Sequence, residues 1–136
     1  MDNITRIEKR SAPETGVINI TLLENLKKFQ QTGEPDFVTE LIDLFLDDTA
    51  IQLESLRVAV SKNDAPEIRR LAHLVKGSSG NIGATGVAAL CHEMEKLDLD
   101  IASRDSYPQN LLLKLQDEFR DVSEAFSAHR QEGSGQ

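Results

Sequence analysis

The sequence predicts an all-α fold, an antiparallel four-helix bundle with a short additional N-terminal helix. Apolar residues recur at helical spacing in five stretches, polar breaks separate the stretches, and no alternating strand pattern is found. Aromatic residues make up only 4% of the chain and tryptophan is absent, which is typical of helices packed through leucine, valine and alanine. Because short links join the four longer helices, we expect them to pack as antiparallel neighbours.

The length of 136 residues is sufficient for one domain with its own core. We expect residues 1–16 to be a flexible N-terminal segment, because they show no sustained period and end in turn-forming residues. Residues 17–130 are the predicted bundle domain. Residues 131–136 are polar and rich in glycine, and we expect them to form a flexible C-terminal tail.

The first two helices are predicted from their apolar spacing. The first covers about residues 21–31, and its buried side contains Leu22, Leu23, Leu26 and Phe29. The second starts near Pro35 and ends near Val60, with a core face made of Val38, Leu41, Phe45, Leu53, Leu56 and Val60. A second apolar line at heptad spacing, Leu44, Ile51 and Val58, lies off that face. It either packs against the first or last helix, which we favour, or belongs to a docking surface for a partner.

The remaining three helices have clear start and stop signals. Asp64 is the predicted N-cap of the third helix, Pro66 lies in its first turn, and Gly83 ends it after Ile82. The fourth helix begins near Ala84 or Thr85, with a core side made of Val87, Leu90, Met94, Leu97 and Ile101. Pro108 opens the last helix, whose predicted inward side is Leu112, Leu115, Phe119, Val122 and Phe126.

The third helix has one face without a packing role. Its core side is formed by Ile68, Leu71, Val75, Ser78 and Ile82, and the opposite side carries Arg69, His73, Lys76, Gly77 and Gly80. Each glycine inside a helix costs roughly 1 kcal/mol relative to alanine. Gly77 and Gly80 lie four and seven residues after the histidine, so we expect them to keep its imidazole accessible.

This stretch resembles the signature of the histidine-containing phosphotransfer (HPt) domain, H-x-x-K-G-S-S-x-x-x-G-A. The matching residues are His73, Lys76, Gly77, Ser78, Ser79, Gly83 and Ala84. The helix spacings extend the resemblance over nearly the whole chain. It implies a phosphorelay carrier, in which the histidine accepts a phosphoryl group from an aspartyl phosphate of a receiver domain and passes it to another receiver.

The chemistry expected of His73 also follows from its neighbours. A neutral imidazole has one unprotonated nitrogen that can attack phosphorus, and Lys76, one turn later, can offer an ammonium to phosphoryl oxygens. The other ring nitrogen needs an acceptor. Ala84 lies 11 residues after His73 and 11 before Glu95, so an antiparallel turn there brings the two to the same height. A carboxylate at that place would orient the imidazole, and the HPt pattern commonly has Glu or Gln facing the histidine there.

Composition and motifs exclude several other classes. A net charge of −8 argues against a nucleic-acid partner, and neither an apolar run approaching a membrane span nor a signal peptide is found. The single cysteine, Cys91, excludes an internal disulfide and suits the cytoplasm. A metal site of Cys91, His92 and His73 is disfavoured, because adjacent helix positions diverge by about 100°. We expect a cytoplasmic monomer.

The chain lacks a glycine-rich nucleotide loop, so it should not phosphorylate itself. We expect no cofactor, with magnesium only in the receiver partner, and whether such a carrier is an enzyme depends on the definition. The expected partners are response-regulator receiver domains and a sensor or hybrid histidine kinase. Two alternatives remain open. The chain could be the N-terminal phosphoacceptor module of a larger histidine kinase, or a helical scaffold that is not phosphorylated.

Overall fold

A computed structural model of the chain describes residues 17–28, 37–97 and 107–130. Within these ranges the chain forms five α-helices, namely α1 (Ile20–Lys28), α2 (Phe37–Ser61), α3 (Ala65–Ile82), α4 (Thr85–Glu95) and α5 (Tyr107–Arg130). Helices α2 to α5 form a closed ring, in which α3 packs against α2 and α4, and α5 packs against the same two helices. The short α1 contacts α2. The predicted four-helix bundle with an additional N-terminal helix is therefore confirmed.

The interior of the ring is filled mainly by aliphatic side chains. Phe45 of α2 meets Phe119 and Phe126 of α5 edge-on, with ring centroids 6.3 and 5.9 Å apart. Edge-to-face pairs of this kind each contribute about 0.5–1.5 kcal/mol beyond the area they bury. The largest other side chains that are fully buried are Leu23, Ile42, Leu56, Ile68, Met94, Leu111 and Leu115. None of the described helices combines the length and the apolarity needed to cross a membrane.

Helix α2 corrects one interpretation made from the sequence. Leu44 and Ile51 were expected to pack against a neighbouring helix, but their side chains are 58% and 67% exposed. The reason is geometric. Ile42 and Thr49, which the predicted core face omitted, are fully buried, and a residue two positions further on points about 200° away. Leu44 and Ile51 therefore face solvent, and the packing interpretation is wrong for both.

The link between α2 and α3 follows the sequence signals. Asn63 has a φ of 56°, a left-handed conformation that asparagine tolerates better than most residues. Asp64 is the N-cap of α3, and its side chain accepts a hydrogen bond from the backbone N–H of Glu67 at 3.3 Å. Pro66 lies in the first turn, where its missing N–H leaves no bond unmade. The predicted start of the helix is thus confirmed.

Gly83 ends α3 in the left-handed conformation, with a φ of 89°. The next residue closes the turn, because the Ala84 N–H donates to the Ser79 carbonyl at 2.8 Å. On the other side, the Asn19 N–H donates to the Gly83 carbonyl at 2.7 Å. The turn is therefore held both by α3 and by the segment before α1, and it returns the chain as α4 only two residues later.

The buried acid Glu118 ties the segment before α1 to the bundle, a contact that was not predicted from the sequence. The Val17 N–H donates to the Glu118 carboxylate at 2.8 Å, and the Val17 carbonyl accepts from the Gly86 N–H at 3.3 Å. Glu118 is only 4% exposed. A Cβ at position 86 would collide with the Glu118 side chain, so glycine is required there for space.

Helix α4 is shorter than predicted. It ends at Glu95, and the Lys96 N–H turns back to the Glu93 carbonyl at 3.1 Å, whereas the predicted core side continued to Ile101. Leu97 is buried just beyond the helix. Several predictions lie outside the described residues, namely those for Phe29, for Ile101, for residues 1–16 and for residues 131–136. The proposed domain limits remain a prediction.

We predict that Gly83→Ala and Gly80→Ala change stability in opposite directions. An alanine at position 83 would have to adopt a φ near 89°, with its Cβ 3.2 Å from Asn19 and Leu22 side-chain carbons, which should cost about 1–3 kcal/mol. A Cβ at position 80 meets nothing within 4 Å, so Gly80→Ala should gain up to about 1 kcal/mol of helix propensity. Urea unfolding of both variants beside the parent measures the two effects. Equal destabilisation by both substitutions would contradict the role of the turn.

Candidate functional site

His73 lies on the solvent face of α3, and its side chain is 72% exposed. Its Nδ1 atom is 2.6 Å from Oε2 of Glu95 on α4. An ionised carboxylate can only accept hydrogen bonds, so Nδ1 of His73 carries the proton in this contact. The neutral ring then has an unprotonated Nε2. The structure thus combines an imidazole held by Glu95 with a second ring nitrogen, Nε2, on an exposed side chain.

Lys76 shares the same carboxylate. Its Nζ atom is 2.5 Å from Oε1 of Glu95, while Oε2 contacts His73. The role predicted for Lys76 was to offer its ammonium to phosphoryl oxygens, and its ion pair with Glu95 was not predicted. A lysine ammonium has three N–H donors, so the pair with Glu95 leaves donors for another anion. The structure brings His73, Lys76 and Glu95 together, and their chemical roles remain predictions.

The environment of Glu95 keeps it ionised. The hydrogen bond from Lys76 is the main cause that lowers the pKa of the Glu95 carboxyl, the hydrogen bond with His73 lowers it further, and desolvation opposes both. Because the pKa is lowered, the interaction is complete at neutral pH and is lost only as the pH falls through the lowered value. Glu95 is therefore a stable acceptor for the His73 ring under physiological conditions.

Gly77 and Gly80 are exposed on the same face of α3 as His73. A Cβ built at either position has no heavy atom of the described residues within 4 Å, so neither glycine is required for packing in ranges 17–28, 37–97 and 107–130. A side chain at either position would project into solvent beside the imidazole. Steric cost would then fall on an approaching molecule, and access remains the predicted role of both glycines.

The other signature residues have packing roles. Ser79 is fully buried, and Ser78 is half-buried, with its hydroxyl donating to the Val75 carbonyl at 3.2 Å. Cys91 is buried in α4, and burial, with a smaller contribution from Glu95, raises the pKa of its thiol to about 12. A thiol with that pKa stays protonated at neutral pH, which makes it unreactive as a nucleophile. Across the described ranges, no group of three His, Cys, Asp or Glu side chains could hold a metal ion.

Exposed apolar side chains lie beside His73 on the α2 flank. Leu74 is 45% exposed and shares one face of α3 with Ser78 and Asn81, which face α2 across a cavity. Counting along both helices from the link at Asn63 places Ile51 level with Leu74. Leu44 is exposed two turns before Ile51 on the same side of α2, level with Ile82 of α3. We call these three residues, Leu44, Ile51 and Leu74, the apolar surface.

A four-helix bundle that presents an oriented, solvent-exposed histidine defines the class of histidine phosphotransfer modules. The Hpt domain family model matches residues 40–125, more than half of the chain, and the chain belongs to that family.

Two solved structures share the fold. The histidine-containing phosphotransfer protein B (HptB) of Pseudomonas aeruginosa is 29% identical, with a TM-score of 0.73, over 88% of this chain and 96% of that chain. A histidine-containing phosphotransfer protein from rice shares the fold with a TM-score of 0.71 at 24% identity, over 85% of this chain and 81% of that chain.

Curated plant proteins are also similar. Histidine-containing phosphotransfer protein 1 of Oryza sativa subsp. japonica is 33% identical over 107 residues, which are 77% of this chain and 71% of that protein. Histidine-containing phosphotransfer protein 5 of Arabidopsis thaliana is 30% identical over 83 residues, which are 59% of this chain and 52% of that protein. The chain thus spans about half the length of this Arabidopsis relative.

We predict that Glu95→Ala releases the His73 ring from a single tautomer, whereas Glu95→Gln keeps it. The glutamine retains an oxygen that accepts from Nδ1, and alanine does not. Nitrogen-15 chemical shifts of the His73 ring report the tautomer directly. Lys76→Ala is the matched control, because it removes the other partner of Glu95 and leaves the Nδ1 contact in place. Identical tautomer populations in the parent and in Glu95→Ala would show that the carboxylate has no orienting role.

Proposed function

We propose that this protein is a phosphorelay carrier. His73 accepts a phosphoryl group from the aspartyl phosphate of a receiver domain and transfers it to the aspartate of another receiver. The observation that carries the proposal is the contact between Nδ1 of His73 and Glu95, which leaves Nε2 of an exposed ring free to react. Membership of the Hpt domain family supports the same conclusion.

The proposed transfer step needs no other group to accept or supply a proton. The Nε2 lone pair forms the N–P bond while the P–O bond to the receiver aspartate breaks, and the aspartate leaves as a carboxylate. Because Nε2 carries no proton, none has to be removed. The phosphorylated ring keeps its Nδ1 proton and becomes cationic, and the Glu95 carboxylate at 2.6 Å stabilises that charge. The same geometry serves the reverse step, so the carrier can donate as well as accept.

Lys76 has a separate role in this proposal. Its ammonium lies one turn after His73 on the same face, and the donors not used by Glu95 can bind phosphoryl oxygens. A charged hydrogen bond of this kind contributes roughly 1.5–3 kcal/mol. Gly77 and Gly80 leave the space through which the receiver would bring its aspartyl phosphate.

We propose that the apolar surface is where the receiver docks. Leu44, Ile51 and Leu74 are exposed on one flank of His73, and hydrophobic burial there would hold a receiver while its phosphoryl group faces the imidazole. The carrier itself needs no cofactor, and magnesium would be bound by the receiver. A sensor or hybrid histidine kinase would supply the phosphoryl groups. A monomer in the cytoplasm is the expected working form.

We predict that His73→Gln abolishes phosphoryl acceptance and leaves the bundle folded. His73 is exposed, so its replacement should change the free energy of unfolding by no more than about 0.5 kcal/mol. The measurement is labelling by a phosphorylated receiver, together with labelling by phosphoramidate, a small donor that requires no docking. Circular dichroism controls for the fold. Retained labelling of the variant by either donor would overturn the assignment of His73, and a parent that neither donor labels would indicate a scaffold.

We predict that Leu44→Ser slows transfer from a receiver and leaves phosphoramidate labelling unchanged. The loss of burial for one exposed leucine at an interface should lower kcat/KM by about tenfold, which corresponds to about 1.4 kcal/mol. Leu113→Ser is the matched control, because Leu113 is also 58% exposed but lies on α5, across the ring from α3. Equal effects of the two substitutions would contradict docking at the apolar surface.

A further inference from the structure

A cavity of about 380 Å³ lies between α1, α2 and α3, and the phosphoryl site does not explain it. Volumes of this size are within the range of small-molecule sites, which is roughly 300–1,000 Å³. His73, Lys76 and Glu95 do not line it. The lining residues are Leu26, Leu41, Leu44, Phe45, Asp48, Thr49, Gln52, Ser78, Asn81 and Ile82.

The two ends of the cavity differ in chemistry. Leu41, Leu44 and Phe45 come first along α2, whereas Asp48, Thr49 and Gln52 follow one to two turns later. On the antiparallel α3, Ile82 and the polar Asn81 lie level with the first group and Ser78 with the second. Leu26 of α1 adds to the apolar wall. The cavity is therefore a slot with one end that is mainly apolar, apart from Asn81, and one end that is polar.

The polar end contains groups that lack hydrogen-bond partners among the residues that the structure describes. The Thr49 hydroxyl oxygen and the Gln52 Oε1 atom are buried without a hydrogen-bond partner, and Thr49 is 0% exposed. Buried polar groups are nearly always hydrogen-bonded, so two beside one cavity point to a ligand that supplies the bonds. Gln52 Oε1 can only accept, and the adjacent Asp48 carboxylate favours a positive charge. A positively charged hydrogen-bond donor would suit both unpartnered oxygens and the nearby Asp48 carboxylate.

We propose that this slot binds a small amphipathic cation with an apolar aliphatic or aromatic body and a primary ammonium head. The body occupies the end walled by Leu26, Leu41 and Phe45. The head donates to Thr49 and Gln52 and lies near the Asp48 carboxylate. The protein's net charge of −8 raises the local concentration of cations and disfavours anions of the same shape.

The proposal is tested by titrating three probes of matched shape against the full-length protein labelled with nitrogen-15. The probes are 2-phenylethylamine, which is a cation, 2-phenylethanol, which is neutral, and phenylacetate, which is an anion. The amine is expected to give saturable amide shifts confined to the lining residues of α1, α2 and α3, below about 10 mM. We expect the alcohol to bind several-fold more weakly, and phenylacetate more weakly still.

Variants of the polar end provide the second part of the test. Thr49→Val keeps the shape of the side chain and removes the hydroxyl, so amine affinity should fall by about threefold to tenfold while the fold is retained. Asp48→Asn should weaken amine binding by about threefold to fivefold. Asp47→Asn is the matched control, because Asp47 is the exposed neighbour that does not line the slot and should change affinity by less than about twofold.

Three results would overturn the proposal. Equal affinity for the three probes would show an apolar hole without a cation site. Unchanged amine binding in both Thr49→Val and Asp48→Asn would remove the polar end from recognition. The absence of saturable shifts at the lining residues would show that the slot does not bind a small cation and can serve only a protein partner. Labelling of His73 by phosphoramidate is measured in parallel and does not depend on the slot, so a failure there concerns the proposed carrier function only.

Discussion

The left-handed turn at Gly83 is the constraint on which the rest of the site depends. It fixes the register between α3 and α4, and that register alone decides which α4 side chain meets His73. A slip of one residue would rotate the facing side chain by about 100° and remove the carboxylate from the imidazole. The turn is about 15 Å along α3 from the histidine, since ten residues separate them. The hydrogen bond from Asn19 to the Gly83 carbonyl therefore supports chemistry that occurs more than two helical turns away.

One carboxylate with two partners couples the parts of the site. Glu95 holds the ring of His73 through one oxygen and the ammonium of Lys76 through the other. Removal of the Lys76 charge would therefore also alter the electrostatics of the histidine, through a less stabilised Glu95. In the proposed transfer the ring becomes cationic, so its attraction to Glu95 would increase and Lys76 would be freer to turn toward the phosphoryl oxygens. The proposed redistribution needs no movement of a helix, because only side chains at the surface are involved.

The sequence predicted the helix caps, the turn and the face of α3 well, because each depends on residues close together in the chain. Asp64, Pro66 and Gly83 each act within one turn of chain, and the placement of His73 follows from helical periodicity. The pair of His73 and Glu95 was also predictable, since a short turn makes residues at equal distance from it neighbours. The exposure of Leu44 and Ile51 was not predictable in this way. Leu44 and Ile51 have the same heptad spacing whether their side of α2 faces another helix or solvent. The positions of the helices around α2 determine which of the two applies.

The slot beside α2 was even less predictable, because it too depends on how the helices pack against one another. Thr49 and Gln52 look like ordinary polar residues of a helix, and their burial depends on α1 and α3 packing on either side of the cavity. The ion pair of Lys76 with Glu95 was missed for a related reason, because both His73 and Lys76 lie within reach of one carboxylate and sequence spacing does not rank them. Which side chains of α3 pair with Glu95 of α4 is determined only when the bundle is assembled.

The face of α3 that carries His73 also contains features that lower the stability of the bundle. Gly77 and Gly80 each cost about 1 kcal/mol relative to alanine, and neither is required for packing within the described part of the chain. Exposed Leu44, Ile51 and Leu74 leave apolar area in water on the adjoining flank. A typical domain is stable by only about 5–15 kcal/mol, so such costs are tolerable only where the remaining core is well packed. The closed ring of α2 to α5 meets that condition, and the net charge of −8 keeps molecules with an exposed apolar surface apart. These costs are concentrated around one oriented histidine. Such a distribution is expected of a surface that serves the proposed transfer and does not contribute to stability.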